Sequence, residues 1–247
     1  MAIIKLIDAP ETTAEDVKAL KAAQLWTERI PETFVTDRSR QTQIGISEVG
    51  MDCRKCVARK LAQKPRSVSG AWYPFLGTAV HDSLEAGFTA NWPKDYHLEE
   101  RLHVHSYKQL ELGGSCDMFD IKNGVVNDWK VVGKSAISEA NRGKVKMQYR
   151  VQAMLYGYGW EQKGFDITHV ALSFLPREDK LENAVVVLMR YDRQLALDSL
   201  SLLESMIDAA EIAGWDAVIE NQPKAGFCFS CKDYDQAEYG GAESLIP

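Results

Sequence analysis

Residues 116–130 read CDMFDIKNGVVNDWK, and this stretch decides the fold of the chain. The Asn123-Gly124 pair between two alternating runs is typical of a two-residue turn that joins two antiparallel strands into a hairpin. In that register Asp117 faces Lys130 across the hairpin. Because side chains on one face of a strand recur at every second residue, Asp117, Asp128 and Lys130 are expected to share a face.

The shared face predicts a metal site. Diagonal neighbours on a hairpin lie roughly 7 Å apart, so Asp117 and Asp128 can hold one divalent cation between them, whereas Asp120 points to the opposite face. Such a cation activates water and neutralises the charge that develops at phosphorus, and a lysine beside it orients the nucleophile. The pattern therefore indicates a centre for phosphodiester hydrolysis. An exposed hairpin with scattered charges has the same residues, so neighbouring motifs must decide between the two interpretations.

Two helices supply neighbouring motifs. His81 ends a Gly-Thr-Ala-Val-His run on a predicted helix, with Glu85 one turn further on the same face, and an imidazole there can ligate a metal ion. A second predicted helix carries a polar stripe at a spacing of four residues, formed by Gln148, Gln152 and Tyr156. Tyr149 and Tyr158 lie beside this stripe. Glutamine and tyrosine can position a phosphate or stack on a base. A structural histidine and a half-buried amphipathic helix are the plainer alternatives.

The remaining pattern alternates between helical and strand periodicity. It predicts helices over 13–29 with Thr13 as a cap, 47–63, 73–90, 144–162 and 193–220, and strands over 98–132 (the hairpin being 116–122 and 125–132), 167–175 and 184–191. Residues 133–143 are expected to form a loop, and the tail after Pro223 to be irregular. Helices around central strands predict an α/β or α+β fold with a mixed sheet, and the passage 125–175 permits a right-handed crossover.

Composition sets the class of protein. The chain has 247 residues, of which 45% are hydrophobic and 26% charged, as in an ordinary globular protein. We expect one domain over 1–247 with its core at about 70–192. The sequence has neither an apolar run of membrane-spanning length nor the layout of a signal peptide at its start, which predicts a cytoplasmic protein without membrane contact.

Positive charge is concentrated in two places although the formal net charge is −6. One cluster lies within 53–66 and the other within 134–150, directly after the hairpin. Phosphate binding depends on such local clusters, so they predict a DNA track, with two solvated helix faces as the alternative. The residues that we expect to contact DNA are Arg54, Lys55, Arg142, Lys144, Lys146, Gln148 and Tyr149.

The cysteines form a second pattern. Cys53 and Cys56 make one Cys-x-x-Cys pair, and Cys228 and Cys231 make another near the opposite end of the chain. Each pair can direct two thiolates to one metal centre, so the four predict a zinc ion or an iron–sulfur cluster that joins the two ends. Residues 45–66 and 222–235 are expected to form a lobe around this four-cysteine site. Cys116 is expected to be a small core residue.

The order of these motifs resembles that of RecB-like nucleases of the PD-(D/E)xK superfamily: Gly-x-x-x-His81, Gly-Gly-Ser-Cys-Asp117, Asp128-Trp-Lys130 and Gln152-Ala-Met-Leu-Tyr156. The resemblance covers roughly residues 45–235 and implies a restriction-endonuclease-like core. It further implies that His81, Asp117, Asp128 and the Trp129 carbonyl bind Mg²⁺ or Mn²⁺. Lys130 is then the catalytic lysine, with Gln152 and Tyr156 as its supporting residues.

A subgroup resembles the chain more specifically, namely the CRISPR-associated exonucleases of the RecB-like type, which hold a 4Fe-4S cluster with one cysteine before the core and three after it. Here the cysteines divide two and two, so the resemblance implies a four-cysteine site, and we expect a 4Fe-4S cluster with structural zinc as the alternative. Small stand-alone members of the family occur in phages, which implies a phage-encoded protein as one possibility.

The sequence thus predicts a metal-dependent exonuclease that acts on single-stranded DNA or DNA ends in recombination, repair or replication. One alternative is an adaptor with weak nuclease activity that holds DNA ends for a recombinase or an integration complex. Another alternative is endonuclease or flap cleavage.

Overall fold

A computed structural model describes residues 43–66 and 72–239, together with scattered positions between 13 and 24. By its contacts the chain divides into two units, one of residues 1–41 with 68–76 and one of residues 42–67 with 77–247. The predicted helix over 13–29 lies mostly outside the described residues, and the described positions after Thr13, such as Val17 and Leu20, are helical. All candidate site residues belong to the second unit.

The second unit is built on a mixed sheet of five strands in the order β1-β2-β3-β4-β5: β1 (Tyr96–Tyr107), β2 (Leu110–Asp120), β3 (Val125–Val132), β4 (His169–Pro176) and β5 (Val185–Arg190). The pair β3–β4 is parallel, and the other neighbouring pairs are antiparallel. A parallel pair needs a crossover connection, and helices lie between β3 and β4 in the chain. The predicted class, a mixed sheet flanked by helices, is confirmed.

The helices of the described residues are α1 (Ile46–Val49), α2 (Arg54–Leu61), α3 (Trp72–Asn91), α4 (Lys134–Asn141), α5 (Met147–Gln162), α6 (Arg193–Ala213), α7 (Trp215–Asn221) and α8 (Phe229–Tyr239). A 3₁₀ turn, Leu181–Asn183, precedes β5. None of the helices in the described ranges is long and apolar enough to cross a membrane.

Helix α5 is the centre of the core. It packs against β1, β3 and β4 on one side and against α6 on another, and nine of its residues are buried. Its glycines permit this close approach: a Cβ on Gly157 would lie 2.8 Å from the Tyr191 ring, and one on Gly159 would lie 3.1 Å from Leu102. Gln152 and Tyr156 are therefore held on a fixed helix beneath the sheet.

Four predictions of secondary structure were wrong. Residues 133–143 contain α4 and the tail contains α8, because short helices in both places are stabilised by packing against other elements. The predicted helix over 47–63 is interrupted at Gly50, where a Cβ would lie 2.7 Å from the Val151 Cβ. The predicted helix over 193–220 is interrupted at Gly214, which adopts a φ of 80°.

The sheet divides next to the hairpin. Strand β2 pairs with β1 along almost its whole length, but the described pairing of β2 with β3 stops after Met118↔Asn127. Strand β3 continues to Val132 beside β4 alone. The two strands thus separate at the positions of Asp117 and Asp128, which leaves a gap within the sheet at these two residues.

Candidate active site

The hairpin register differs from the predicted one by two residues. Asp120 pairs with Val125, so the turn contains four residues and continuation of the register brings Asp117 level with Asp128 instead of Lys130. The Asp120 carboxylate accepts hydrogen bonds from the Asn123 backbone N–H (3.0 Å) and side-chain amide (2.8 Å), and this local bonding replaces the two-residue turn. Asp120 is a turn residue, and the predicted diagonal arrangement of the two aspartates was wrong.

Asp117 closes the gap between the strands. Its Oδ2 accepts a hydrogen bond of 2.6 Å from the backbone N–H of Trp129, which occupies the position of a ladder bond after the strands have separated. Its side chain is 8% exposed. The second oxygen, Oδ1, lies 3.5 Å from His81 Nδ1. Asp117 thus has one oxygen fixed by the backbone and another directed toward His81.

Asp128 and Lys130 form the other half of the site. The Asp128 side chain is 1% exposed, and Lys130 Nζ lies 2.5 Å from its Oδ2. Asp128 Oδ1 is buried and has no hydrogen-bond partner among the described residues. Lys130 Nζ also donates to Gln152 Oε1 at 2.9 Å. A buried carboxylate oxygen without a donor is costly in a protein interior, and a bound cation would satisfy it.

Gln152 and Tyr156 are both buried on α5, one turn apart, and Gln152 is the residue that accepts the hydrogen bond from Lys130. Burial first, and then the negative charges of Asp128 and Asp117, raise the pKa of Tyr156 well above its usual value, so its hydroxyl keeps its proton. Tyr149 adds an aromatic face, with Lys130 Nζ 5.2 Å from the ring centroid.

His81 reaches the site from α3. Its Nε2 lies 3.0 Å from the Trp129 carbonyl oxygen, and its Nδ1 faces both Asp117 and Glu99, at 3.5 Å and 3.6 Å. His81, Glu99 and Asp117 offer ligand atoms that all lie within 4.8 Å of one another. The periodicity of β1 did not mark Glu99, because its neighbour Glu100 carries the same charge and nothing in the strand pattern separates the two. Glu85 is not among these three.

The pKa values show how much negative charge the site collects. Burial and then the charge of Asp128 raise the pKa of Asp117 to about 7, above the ordinary aspartate value. For His81, burial lowers the pKa, but the contact with Glu99 and the charge of Asp117 outweigh it, so the net shift is upward. Oxygen ligands with one imidazole suit Mg²⁺ or Mn²⁺.

The two basic clusters are used differently. In the first, buried Arg59 pairs with Asp235 (3.0 Å), buried Lys60 approaches Glu48 (3.4 Å), and Lys64 pairs with Asp216 (2.6 Å), so much of its charge has internal partners. Arg54 and Lys55 are partly buried, and Arg54 donates to the Val49 carbonyl at 3.2 Å.

In the second cluster Arg142, Lys144 and Lys146 are exposed, just beyond α4 and before α5. Gln148 donates to the Ser47 carbonyl at 2.7 Å, which gives its side chain a structural partner. The second cluster is therefore the better candidate for a DNA track.

The four paired cysteines meet. Cys56 Sγ lies 3.3 Å from Cys231 Sγ and 3.7 Å from Cys228 Sγ, and Cys53 Sγ lies 3.6 Å from Cys231 Sγ. All four ligand atoms lie within 4.8 Å of one another, and three of the four residues are buried. The Lys55 N–H also donates to the Pro223 carbonyl at 3.2 Å. The two ends of the unit are thus joined at this group.

Cys116 stands apart from the group. It is fully buried and accepts a hydrogen bond of 3.4 Å from the Trp160 indole. Burial raises the pKa of its thiol, which agrees with an inert core residue.

A mixed sheet thus divides at two aspartates, with a lysine two residues after the second and a helix carrying glutamine and tyrosine beneath, which is the arrangement that the resemblance to PD-(D/E)xK nucleases predicted. Comparison with solved structures shows which known proteins share the fold. No family model and no curated protein matches the chain by sequence.

An alkaline exonuclease from Laribacter hongkongensis, LHK-Exo, superposes with a TM-score of 0.52 at 12% identity, covering 75% of this chain and 95% of that one. Its complex with dAMP gives a TM-score of 0.51 at 15% identity over 73% and 91% of the two chains. A phage-related exonuclease from Haemophilus somnus 129PT gives 0.51 at 14% identity over 72% and 95%. At such identities the comparisons establish the shared fold, which confirms the predicted fold class.

Proposed function

We propose that this protein is a Mg²⁺- or Mn²⁺-dependent DNA exonuclease that hydrolyses phosphodiester bonds of single-stranded DNA or DNA ends in recombination, repair or replication. The observation that carries the proposal is the pair of buried aspartates at the division of the sheet, with Lys130 ion-paired to Asp128. The three solved structures compared above are exonucleases, one of them in complex with dAMP, which supports this choice of reaction and substrate.

The residues fit a divalent cation. Asp117, Asp128, His81 and the Trp129 carbonyl would hold it: Asp128 Oδ1 is buried without a donor among the described residues, and Asp117 Oδ1 lies 3.5 Å from His81 Nδ1. When bound, a divalent cation activates water and stabilises the charge that develops on the attacked phosphate. The protein supplies the carboxylates in fixed positions, so they need not reorganise during the reaction.

Lys130 supplies a positive charge beside the attacked phosphate. Its ammonium is held between Asp128 and Gln152. A lysine fixed in this way can orient the attacking water and stabilise negative charge without choosing among rotamers at each turnover. Arg142, Lys144 and Lys146 would bind the DNA backbone, with Arg54, Lys55, Gln148 and Tyr149 as further contacts.

The experiment is cleavage of end-labelled single-stranded DNA by the purified protein with Mn²⁺. Asp128→Ala and Lys130→Ala should each lower the rate by at least about a hundredfold while DNA binding persists. Lys122→Ala, which removes an exposed lysine from the hairpin turn, serves as the matched control and should cleave normally. Wild-type rates in either active-site variant would refute the assignment. A circular single strand distinguishes an exonuclease, which leaves it intact, from an endonuclease.

For the four cysteines we propose one shared metal centre. Around a tetrahedral zinc ion with bonds of about 2.3 Å, sulfur atoms lie roughly 3.8 Å apart. The observed separations of 3.3–3.7 Å are close to this spacing. The 4Fe-4S cluster that the family resemblance implies is larger, so it would need the two pairs to move apart. Purification without oxygen decides between them: a brown protein with a visible absorption band indicates the cluster, and a colourless protein with stoichiometric zinc indicates the single ion.

A further inference from the structure

Glu99 lies in line with the two aspartates across the sheet. In the pairing of β1 with β2, Leu98 faces Met118 and Glu100 faces Cys116, so Glu99 comes level with Asp117. Asp117 in turn comes level with Asp128 of β3. Three carboxylates from three adjacent strands therefore form one row, which ends at the division of the sheet.

The backbone at Glu99 is held in an unusual conformation. Its φ is 46°, in the left-handed region that glutamate rarely adopts, although it lies inside a long strand. Such a conformation costs on the order of 1–3 kcal/mol and persists only when the surrounding structure imposes it. Strain of this kind commonly occurs where a side chain is directed toward a functional site.

The Glu99 carboxylate lies beside the site with one oxygen that accepts no hydrogen bond from the described residues. Its Oε1 is buried and has no hydrogen bond among the described residues. This oxygen lies 3.6 Å from His81 Nδ1, and the ligand atoms of Glu99, His81 and Asp117 lie within 4.8 Å of one another. Because His81 Nε2 faces the Trp129 carbonyl at 3.0 Å, donation from Nε2 leaves the Nδ1 lone pair directed toward the two carboxylates.

We infer that Glu99 is a further protein ligand of the divalent cation, on the side of the site opposite Asp128. The inference rests on the proposed function, because it assigns a residue to the same metal site. A third carboxylate supplies an additional hard oxygen and negative charge, which Mg²⁺ and Mn²⁺ prefer as ligands. The cation in turn satisfies the buried oxygen and offsets the repulsion within the row.

The experiment measures Mn²⁺ binding by titration calorimetry on wild type, Glu99→Gln and Glu100→Gln, without DNA. Glutamine preserves the shape of the side chain but removes its charge. Because the charge of the ligands sets the affinity for a divalent cation, loss of a ligand carboxylate should lower the Mn²⁺ affinity at least about tenfold. Glu100 pairs with Lys163 at 2.5 Å on the surface, so Glu100→Gln is the matched control and should bind Mn²⁺ like wild type.

Glu99→Asp provides a second test if Glu99→Gln folds poorly. It keeps the charge on a shorter side chain and should bind Mn²⁺ more weakly than wild type but more tightly than a neutral residue, Glu99→Ala. Wild-type affinity in Glu99→Gln, or equal affinity in Glu99→Asp and Glu99→Ala, overturns the inference. If wild type itself neither binds Mn²⁺ nor cleaves DNA, the proposed function fails. If wild type does both and Glu99→Gln binds Mn²⁺ normally, only the role of Glu99 fails.

Discussion

The row of carboxylates and the cysteine group are two candidate metal sites built in opposite ways. The carboxylates lie on neighbouring strands and leave buried oxygens without donors among the described residues. The cysteines come from opposite ends of the second unit and already contact one another. Hard oxygen ligands at a divided sheet suit a cation that exchanges and activates water, whereas four thiolates suit a closed, structural centre. The comparison predicts that one site governs turnover and the other governs folding.

The largest expected effect on stability comes from Cys231→Ser. Because metal binding to four thiolates is part of the folding free energy, the variant should lower the unfolding midpoint by more than about 10 °C. The cleavage rate per folded molecule should change little. Thermal unfolding and cleavage on the same preparation check both statements. Cys116→Ala, which removes a buried thiol outside the group, should have a smaller effect; equal losses in the two variants would contradict a metal centre.

A smaller effect, now on turnover, is expected for Gln152→Ala. Loss of the 2.9 Å hydrogen bond leaves Lys130 with its ion pair to Asp128 and its contact with the Tyr149 ring, so cleavage should slow by about 10- to 100-fold. Single-turnover cleavage at saturating Mn²⁺ measures this, and thermal unfolding verifies that the fold persists. Gln162→Ala, which removes the bond to the Val104 carbonyl from the same helix, is the control. A slower rate in the control alone would argue against the role of Gln152.

The carboxylate row should also make the metal-free protein less stable at higher pH. Asp117 has a pKa near 7 in the folded protein, raised by burial and by Asp128, and near 4 when unfolded. A raised pKa gives stability that is present below about pH 4 and is lost as the pH rises through 7. Asp117→Asn should therefore be more stable than wild type at pH 8 without metal, and this advantage should shrink toward pH 4. Denaturant unfolding at several pH values tests it, and a constant difference would contradict the repulsion.

The smallest effect is expected at the surface. Lys144→Ala and Lys146→Ala should each weaken single-stranded DNA binding and lower the slope of log affinity against log salt by about 0.7. Binding measured across a salt series reports this slope. Lys122→Ala on the exposed hairpin turn is the control. Unchanged slopes for both lysines would remove the second basic cluster from the proposed DNA track.

The sequence predicted most of the residues that lie together at the two candidate sites better than it predicted the geometry of the hairpin. Residue types and their spacing can be read directly from the sequence. They indicated the two Cys-x-x-Cys motifs and the ordered residues His81, Asp117, Asp128 and Lys130. The hairpin register could not be predicted in this way. The Asp120 carboxylate accepts two hydrogen bonds from Asn123 and so favours a four-residue turn, and the alternation of apolar and polar residues does not indicate these hydrogen bonds. Glu99 was missed for a similar reason: its position depends on pairing with a strand about twenty residues away and on a backbone angle.

The hairpin turn also limits how this chain can vary. A Cβ at Gly124 would lie 2.4 Å from the Asp166 carbonyl oxygen, and its φ of 64° already favours glycine, so the turn is pressed against the connection that leads into β4. Surface turns usually accept insertions and deletions. One added residue here would shift β2 relative to β3 by one position, so the side chains that now face the core would face the opposite side of the sheet. Related chains with a similar active site should therefore conserve the length of this turn more strictly than its composition.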